Sequence, residues 1–151
     1  MITKVARFTS SGTWTVPAGV TYAVAHIRGG GGGASDNTTA NGGTSSVAFA
    51  SGTVSAAGGA GANAGKTYGN APTYTGVNGA TNSGDGARLL HQNINSGDQA
   101  YFIMGADGAE VVAGAAVTPA ASITVTVGAG GNSNRFDGGS GYVWIEYQEE
   151  S

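Results

Sequence analysis

The residues with chemistry to offer are few. At positions 60–67 the chain reads AGANAGKT, one residue away from G-x-x-x-x-G-K-[ST], the loop whose amides and lysine cradle phosphates. That loop works where it follows a buried strand and opens a helix whose N-terminus faces the anion. Here SAAGG precedes it and YGNAPTYTG follows, with no helix-forming run, so nucleotide binding is rejected. GGGGGAS at 29–35 likewise lacks the spacing and the helix of a dinucleotide site, and reads as a glycine-only turn or packing layer. His26 falls in a strand block and His91 in a short apolar run, neither with a Ser or Asp at an interpretable catalytic spacing, so both read as structural or surface histidines. Asp85, Asp107 and Asp137 each precede a glycine, the ordinary setting of an Asx turn. Calcium requires six to eight oxygens, and no D-x-D-x-D spacing supplies them. With no cysteine there is no thiolate site either, so neither metal nor cofactor is expected. A glycan hydrolase needs two carboxylates across a cleft; Glu146, Glu149 and Glu150 lie in or after the last strand block, where solvent exposure is the simpler account. No catalytic residue is assigned, and the chain reads as a non-enzyme.

The candidates for binding are Tyr68 and Tyr74, set with Asn70, Asn78 and Asn82 in a stretch of Gly, Asn and Thr. Rigid amphipathic rings among adaptable polar neighbours make contact area at low entropy cost. They suit stacking on a sugar face or meeting a loop of an outer-membrane protein. An equally weighted alternative is that the two rings cap the core.

The elements that must position these residues are strands. In 151 residues there are 13 Val and 6 Ile against 2 Leu, and β-branched side chains suit a pleated, half-buried surface. Apolar residues alternate with polar ones over Lys4 to Phe8, Tyr22 to Arg28, Ser45 to Phe49, Ser122 to Val127 and Tyr142 to Tyr147. Gln99 to Met104 and Ala109 to Ala113 show strand character on either side of a GADG turn. The first two strands are joined through Pro17 and Gly19, as an edge hairpin or a sheet-to-sheet crossover. RLLHQNI at 88–94 is the best helical stretch, though at its length a single turn is the safer expectation. The expected core is Val5 or Phe8, Val24, Ile27, Val47, Phe49, Ile123, Val125, Val127, Val143 and Ile145, with Trp14 and Trp144 in core or sheet-face packing. Val24 and Ile27 cannot both point inward on a regular strand. Gly29, Gly30, Gly31, Gly32 and Gly33 form a structural glycine segment that stops the second strand. The glycine-rich run at 57–87 cannot make a core by itself and reads as a binding surface, a packed glycine layer or an intersubunit contact, in which main-chain amides do the bonding.

Composition removes several function classes. Six Lys and Arg scattered from position 4 to 135 make no basic stripe, so nucleic acid is not an expected partner. No apolar run approaches the ~20 residues needed to cross a bilayer, and MITKVARF lacks the layout of a signal peptide. Net charge is −3, too small for the disorder signature, and the length suits one domain over 1–151 with a variable low-complexity middle at about 57–116.

Four blocks in order carry a resemblance: F-T-x-x-G-x-W-T-V-P-A-G-V-T, then G-G-G-G-G, then V-T-P-x-x-x-I-T-V-T-V-G-A-G-G, then G-x-S-G-Y-V-x-I-x-Y. Together they cover 8–33, 42–59 and 117–147, and they resemble the glycine-rich domain of tailed-bacteriophage virion proteins, particularly tail fibres and their tip adhesins. The resemblance implies a small glycine-rich antiparallel β-sandwich, jelly-roll-like, with little or no helix. It implies a virion location after synthesis in the host cytoplasm, and partners among other virion proteins of capsid or tail. It further implies a multicopy or homo-oligomeric state and, in the adhesin case, a host cell-surface glycan or protein. Fibre proteins carry such a domain behind a trimeric shaft; read from Met1 to Ser151 this chain has none. That favours a small accessory, a capsid decoration or tail component docking through glycine-rich surfaces, over a host-binding tip that presents the 57–87 loops.

Overall fold

The computed structural model describes residues 1–35, 38–63, 73–92 and 101–150. Among them every regular element is a strand. β1 (Ile2–Phe8), β13 (Tyr142–Glu149), β3 (Tyr22–Arg28) and β11 (Glu110–Ala116) form one antiparallel sheet in the order β1-β13-β3-β11. β2 (Gly12–Thr15), β12 (Ser122–Thr126), β5 (Ser45–Phe49) and β6 (Gly52–Ala56) form a second, in the order β2-β12-β5-β6. The two sheets enclose an apolar core in which Ala23, Ala25, Ile27, Val143 and Ile145 meet Trp14, Val47, Phe49, Ile123 and Val125. The expected β-sandwich is therefore present. Between β1 and β3 the chain crosses to the other sheet and adds β2, so the crossover holds and the hairpin does not.

Two core assignments resolve on the period of two. Ile27 points inward with Ala23 and Ala25, which turns Val24 outward with His26 and Arg28. Phe8 packs on the core while Val5 is exposed on the outer face. A sequence pattern of large apolar residues misplaces β3 because its inward positions are mostly alanine.

Beyond the sandwich the chain builds a second kind of core. The five glycines at 29–33 are all buried, so this segment is interior, as a packing layer and not as a turn. It runs on from β3 in extended form, and its amides point in three successive directions. Gly29 and Gly32 donate to the carbonyls of Ala109 and Ala106, Gly30 and Gly33 to those of Gly43 and Ala40, and Gly31 to that of Gly139. In return the carbonyls of Gly30 and Gly33 accept from Gly59 and Ala62, that of Gly31 from Gly131, and that of Gly32 from Ala87. A repeat of three residues is the period of a polyproline-II-type helix, which has no internal hydrogen bonds and offers its backbone on all sides.

Six segments thus surround the central one, and they bond to each other in a closed ring. Gly42 donates to Gly59, Gly43 to Ala129, Gly141 to Gly128, Gly139 to Asp85, Gly105 to Ala87 and Ala106 to Ala60, all at 2.8–2.9 Å. The segments that run parallel to the centre (57–62, 128–131 and 84–87) alternate around the ring with those that run antiparallel (40–43, 138–141 and 105–109). Five of the six continue sandwich strands, so the sheets set the spacing of the lattice. The stretch 105–108, expected as a turn, is one of these extended segments.

At the far end of the lattice, β4 (Ala34–Ser35) pairs in parallel with β7 (Ala62–Asn63), and β8 (Thr73–Val77), β9 (Arg88–Gln92) and β10 (Tyr101–Met104) form a three-stranded sheet. Ala34, Ala87 and Leu89 are buried there, with Ile103 and Phe136 packed on them. The helical expectation at 88–94 is overturned by β9, which both β8 and β10 pair. A short run gains too little from local helical bonds to compete with two ladders and the burial of Leu89.

Candidate functional site

All seven lattice segments reach the same apex. The chain passes outward through Ser35, Asn63, Gln92 and Gly131 and returns through Ala40, Thr73, Tyr101 and Gly138, so four excursions open at one end. A polar network fastens the part of the apex nearest the lattice. The Asn134 side-chain oxygen accepts from the hydroxyls of Ser35 and of Thr38, the latter at 3.0 Å, and Ser35 Oγ accepts from the Thr38 amide at 3.1 Å. Asn63 donates to Thr39 Oγ1, and Asn41 Oδ1 accepts from the Gly61 amide at 2.9 Å. Ser133 donates to the Phe136 carbonyl at 2.8 Å, and Asp137 accepts from the Ser133 amide at 2.8 Å. Short polar side chains here take over the bonding that glycine amides perform inside.

Tyr68 and Asn70 lie outside the described residues, in the excursion that leaves at Asn63 and returns at Thr73. Tyr74 is on β8 in register with His91 of β9, its side chain outside those described. Asn78 and Asn82 are placed elsewhere, on the flank of the lattice. Asn78 Oδ1 accepts from the Asp137 amide at 3.0 Å and lines a cleft of about 340 Å3 with Arg88, Met104, Asp85 and Asp107. Asn82 has φ of +55° and is clasped to Ser140, its amide donating to Ser140 Oγ at 3.0 Å and its Oδ1 accepting from that hydroxyl at 3.1 Å. Of the five expected binding residues, the two whose side chains are described, Asn78 and Asn82, thus lie beside the lattice segments. Gly29, Gly30, Gly31, Gly32 and Gly33 are the hub of the lattice.

Where lattice and sandwich join, Arg28 holds three carboxylates: Glu110 at 3.1 Å, and Asp85 and Asp107 at 3.6 Å each. Asp107 also accepts from the Gly86 amide at 2.8 Å, tying segments 84–87 and 105–109 to β3. Tyr142 donates to Glu110 at 3.2 Å. Burial first, and the adjacent Glu110 carboxylate second, push its phenol above the ordinary tyrosine value. On the outer face of the first sheet His26 stacks on Trp144, ring centroids 3.6 Å apart and 5° from parallel, with Glu146 4.0 Å from His26 Nε2. Arg7 stands on the neighbouring strand, 5.9 Å from the Trp144 ring centroid. Strand alternation puts Arg7, Trp144 and His26 on one face, but only the register β1-β13-β3 reveals that they are adjacent. No group of three or more His, Cys, Asp or Glu among the described residues is arranged to hold a metal ion. No helix of the described residues is long and apolar enough to cross a membrane.

No protein-family model matches the chain, and neither curated proteins nor solved structures yield a significant similarity.

Proposed function

We propose that this chain is a non-enzymatic recognition module of a tailed-phage particle, seated on other virion proteins and carrying its specificity at the apex of the glycine lattice. The observation that carries the reading is that four excursions leave and re-enter a framework bonded by backbone at a single end. Two of them hold AGKTYGNAP (64–72) and NINSGDQA (93–100), rich in Asn, Ser and Gly and including Tyr68, the composition of an adaptable contact surface. The blocks that resemble glycine-rich virion domains supply the framework, and the excursions supply the surface available for recognition. A capsid or tail decoration is the second reading. It is favoured by Ile2 and Tyr22, 48% and 58% exposed at the end opposite the apex beside a cleft of about 350 Å3, which suits docking on a virion protein.

The test replaces 64–72 and 93–100 by Gly-Ser segments of equal length. The variant is compared with the parent chain for melting temperature, binding to a panel of bacterial strains, and rebinding to particles stripped of the chain. Unchanged melting with lost cell binding and retained particle binding is the expected result. Cell binding that survives both replacements overturns the apex assignment, and particle binding without cell binding by the parent chain favours decoration.

A further inference from the structure

Tyr142 and Trp144 are two residues apart on β13 and so share the outer face of the first sheet. Trp144 is in register with His26 on one side and with Arg7 on the other, so the two approach it from opposite sides. His26 covers one ring face. The β1 side opens into a cleft of about 340 Å3 lined by Arg7, Phe8, Thr9, Asn82, Tyr142 and Trp144, within the size range of small-ligand sites. This cleft lies at the waist of the molecule, away from the apex, and the inference below stands independently of the function proposed there.

Three of its polar groups keep bonding capacity, although the Tyr142 hydroxyl is taken by Glu110 and the Arg7 guanidinium stands 5.9 Å from the Trp144 ring centroid. Arg28, one strand further on, is surrounded by three carboxylates, whereas Arg7 meets none among the described residues. Asn82 is held in a left-handed backbone conformation, and its Oδ1 accepts from the Ser140 hydroxyl. That bond fixes the carboxamide and leaves its NH2 group without a partner among the described residues. The Thr9 hydroxyl is likewise unbonded among them. An aromatic wall, a guanidinium without a counter-charge, an oriented amide donor and a hydroxyl therefore converge on one cleft.

We propose that this cleft binds a single acidic sugar residue. The sugar carboxylate takes the Arg7 fork, which matches carboxylate geometry with two parallel N–H bonds. The C–H face of the sugar packs on Tyr142 and on the part of Trp144 that lines the cleft between His26 and Arg7, and ring hydroxyls accept from the Asn82 NH2 and pair with Thr9. A phosphate would leave the aromatic wall unused, and a neutral sugar would leave Arg7 without its partner.

The experiment is a titration followed by the two indole N–H resonances, with Trp14, buried in the sandwich core, as internal reference. Methyl β-glucuronide and the methyl glycoside of N-acetylneuraminic acid are the acidic probes; methyl β-glucoside and acetate are the controls. At least one acidic probe is expected to shift Trp144 and not Trp14, with millimolar affinity and at least tenfold preference over both controls. Arg7→Gln should weaken that binding at least tenfold and abolish the preference. Its melting temperature should match the parent's, since Arg7 is exposed on the sheet face. Asn82→Gly, which keeps the backbone conformation and removes the amide, should weaken it several-fold. The proposal is overturned if neither acidic probe moves Trp144 up to about 50 mM, if glucoside or acetate binds as well as the acids, or if Arg7→Gln binds as the parent does.

Discussion

Replacing Gly31 by alanine tests whether the lattice is as close as its hydrogen bonds imply. A Cβ at this position would stand 2.0 Å from the Asp85 carbonyl oxygen, 2.2 Å from its carbon and 2.7 Å from the Gly86 nitrogen. Ordinary contact begins near 3.4 Å, so segment 84–87 must retreat by more than an ångström. That segment is bonded at 2.8–2.9 Å through Gly139 to Asp85, Gly84 to Ser140, Ala87 to Gly32, Gly105 to Ala87 and Gly108 to Gly84. A shift of that size takes bonds of such length beyond the range in which they hold. Loss of two of the five, at about 1–3 kcal/mol for each buried group left unsatisfied, gives a destabilisation of about 2–6 kcal/mol. The opposing term, the lower unfolded-state entropy of alanine, amounts to about 0.4–1 kcal/mol and cannot reverse the sign. The matched control is Gly12→Ala in β2, where the new Cβ would meet the Phe8 ring at 3.7 and 3.8 Å, an ordinary contact. Urea unfolding followed by tryptophan emission should show Gly12→Ala unchanged or slightly stabilised. Gly31→Ala should lower the urea midpoint and, in a thermal scan, melt at least about 2 °C lower, from a net loss of at least about 1 kcal/mol at about 2–4 °C per kcal/mol, or fail to fold. Equal midpoints for the two variants would refute the close-packed backbone lattice.

Arg28→Gln removes the cation from Asp85, Asp107 and Glu110. The figure of about 3–5 kcal/mol for breaking a buried pair is reduced, because all three carboxylates are half exposed or more, to about 1–2 kcal/mol. Adding Asp107→Asn should restore part of this loss in urea unfolding, since it relieves like-charge repulsion. Leu89→Ala should cost about 2–3 kcal/mol, the lower part of the usual range because its cluster is small. NMR should show the change confined to the apex, with Trp14 unmoved. Tyr142 and Tyr147 are both held above the ordinary value of about 10, chiefly by burial. The folded state keeps their protons when the unfolded chain has begun to lose them, so this stability is full below pH ~10 and declines as pH rises through the folded values. Urea midpoints measured from pH 8 upward should fall less steeply beyond ~10 in Tyr142→Phe than in the parent.

The sandwich was legible because its strands alternate. Val125 and Val143, each flanked by polar residues or residues of the opposite face, announce their burial, and the β-branched bias announces strand. The inward alanines of β3 carry no such signal, which is why Val24 was misplaced. The lattice was legible only as a restriction. Five glycines at 29–33 say that side chains are excluded, but a residue without a Cβ has no periodic hydrophobicity to report which neighbours surround it. Its partners are set by the register of the strands on either side, a long-range property. The same holds for Arg7, Trp144 and His26, which lie in three separate strands, and for β9, where pairing overrode a local helical tendency.

A lattice bonded through its backbone has a consequence for recognition. Its interior exposes neither side chains nor free amides, so it can hold positions but cannot discriminate among ligands. In the recognition role proposed above, chemical selectivity falls where the glycines end: at the apex, where Ser35, Asn63 and Asn134 replace amides with side-chain groups, and on the sandwich, where Trp144 and Arg7 project. Substitution at these two places changes what is presented while the ring of segments around 29–33 stays the same. The converse also holds, because nearly every lattice glycine meets a carbonyl where its Cβ would be, and altering the lattice costs the fold before it alters a surface. A framework built this way tolerates substitution far less in its hub than where side chains replace the glycines, a contrast that suits the recognition role proposed above.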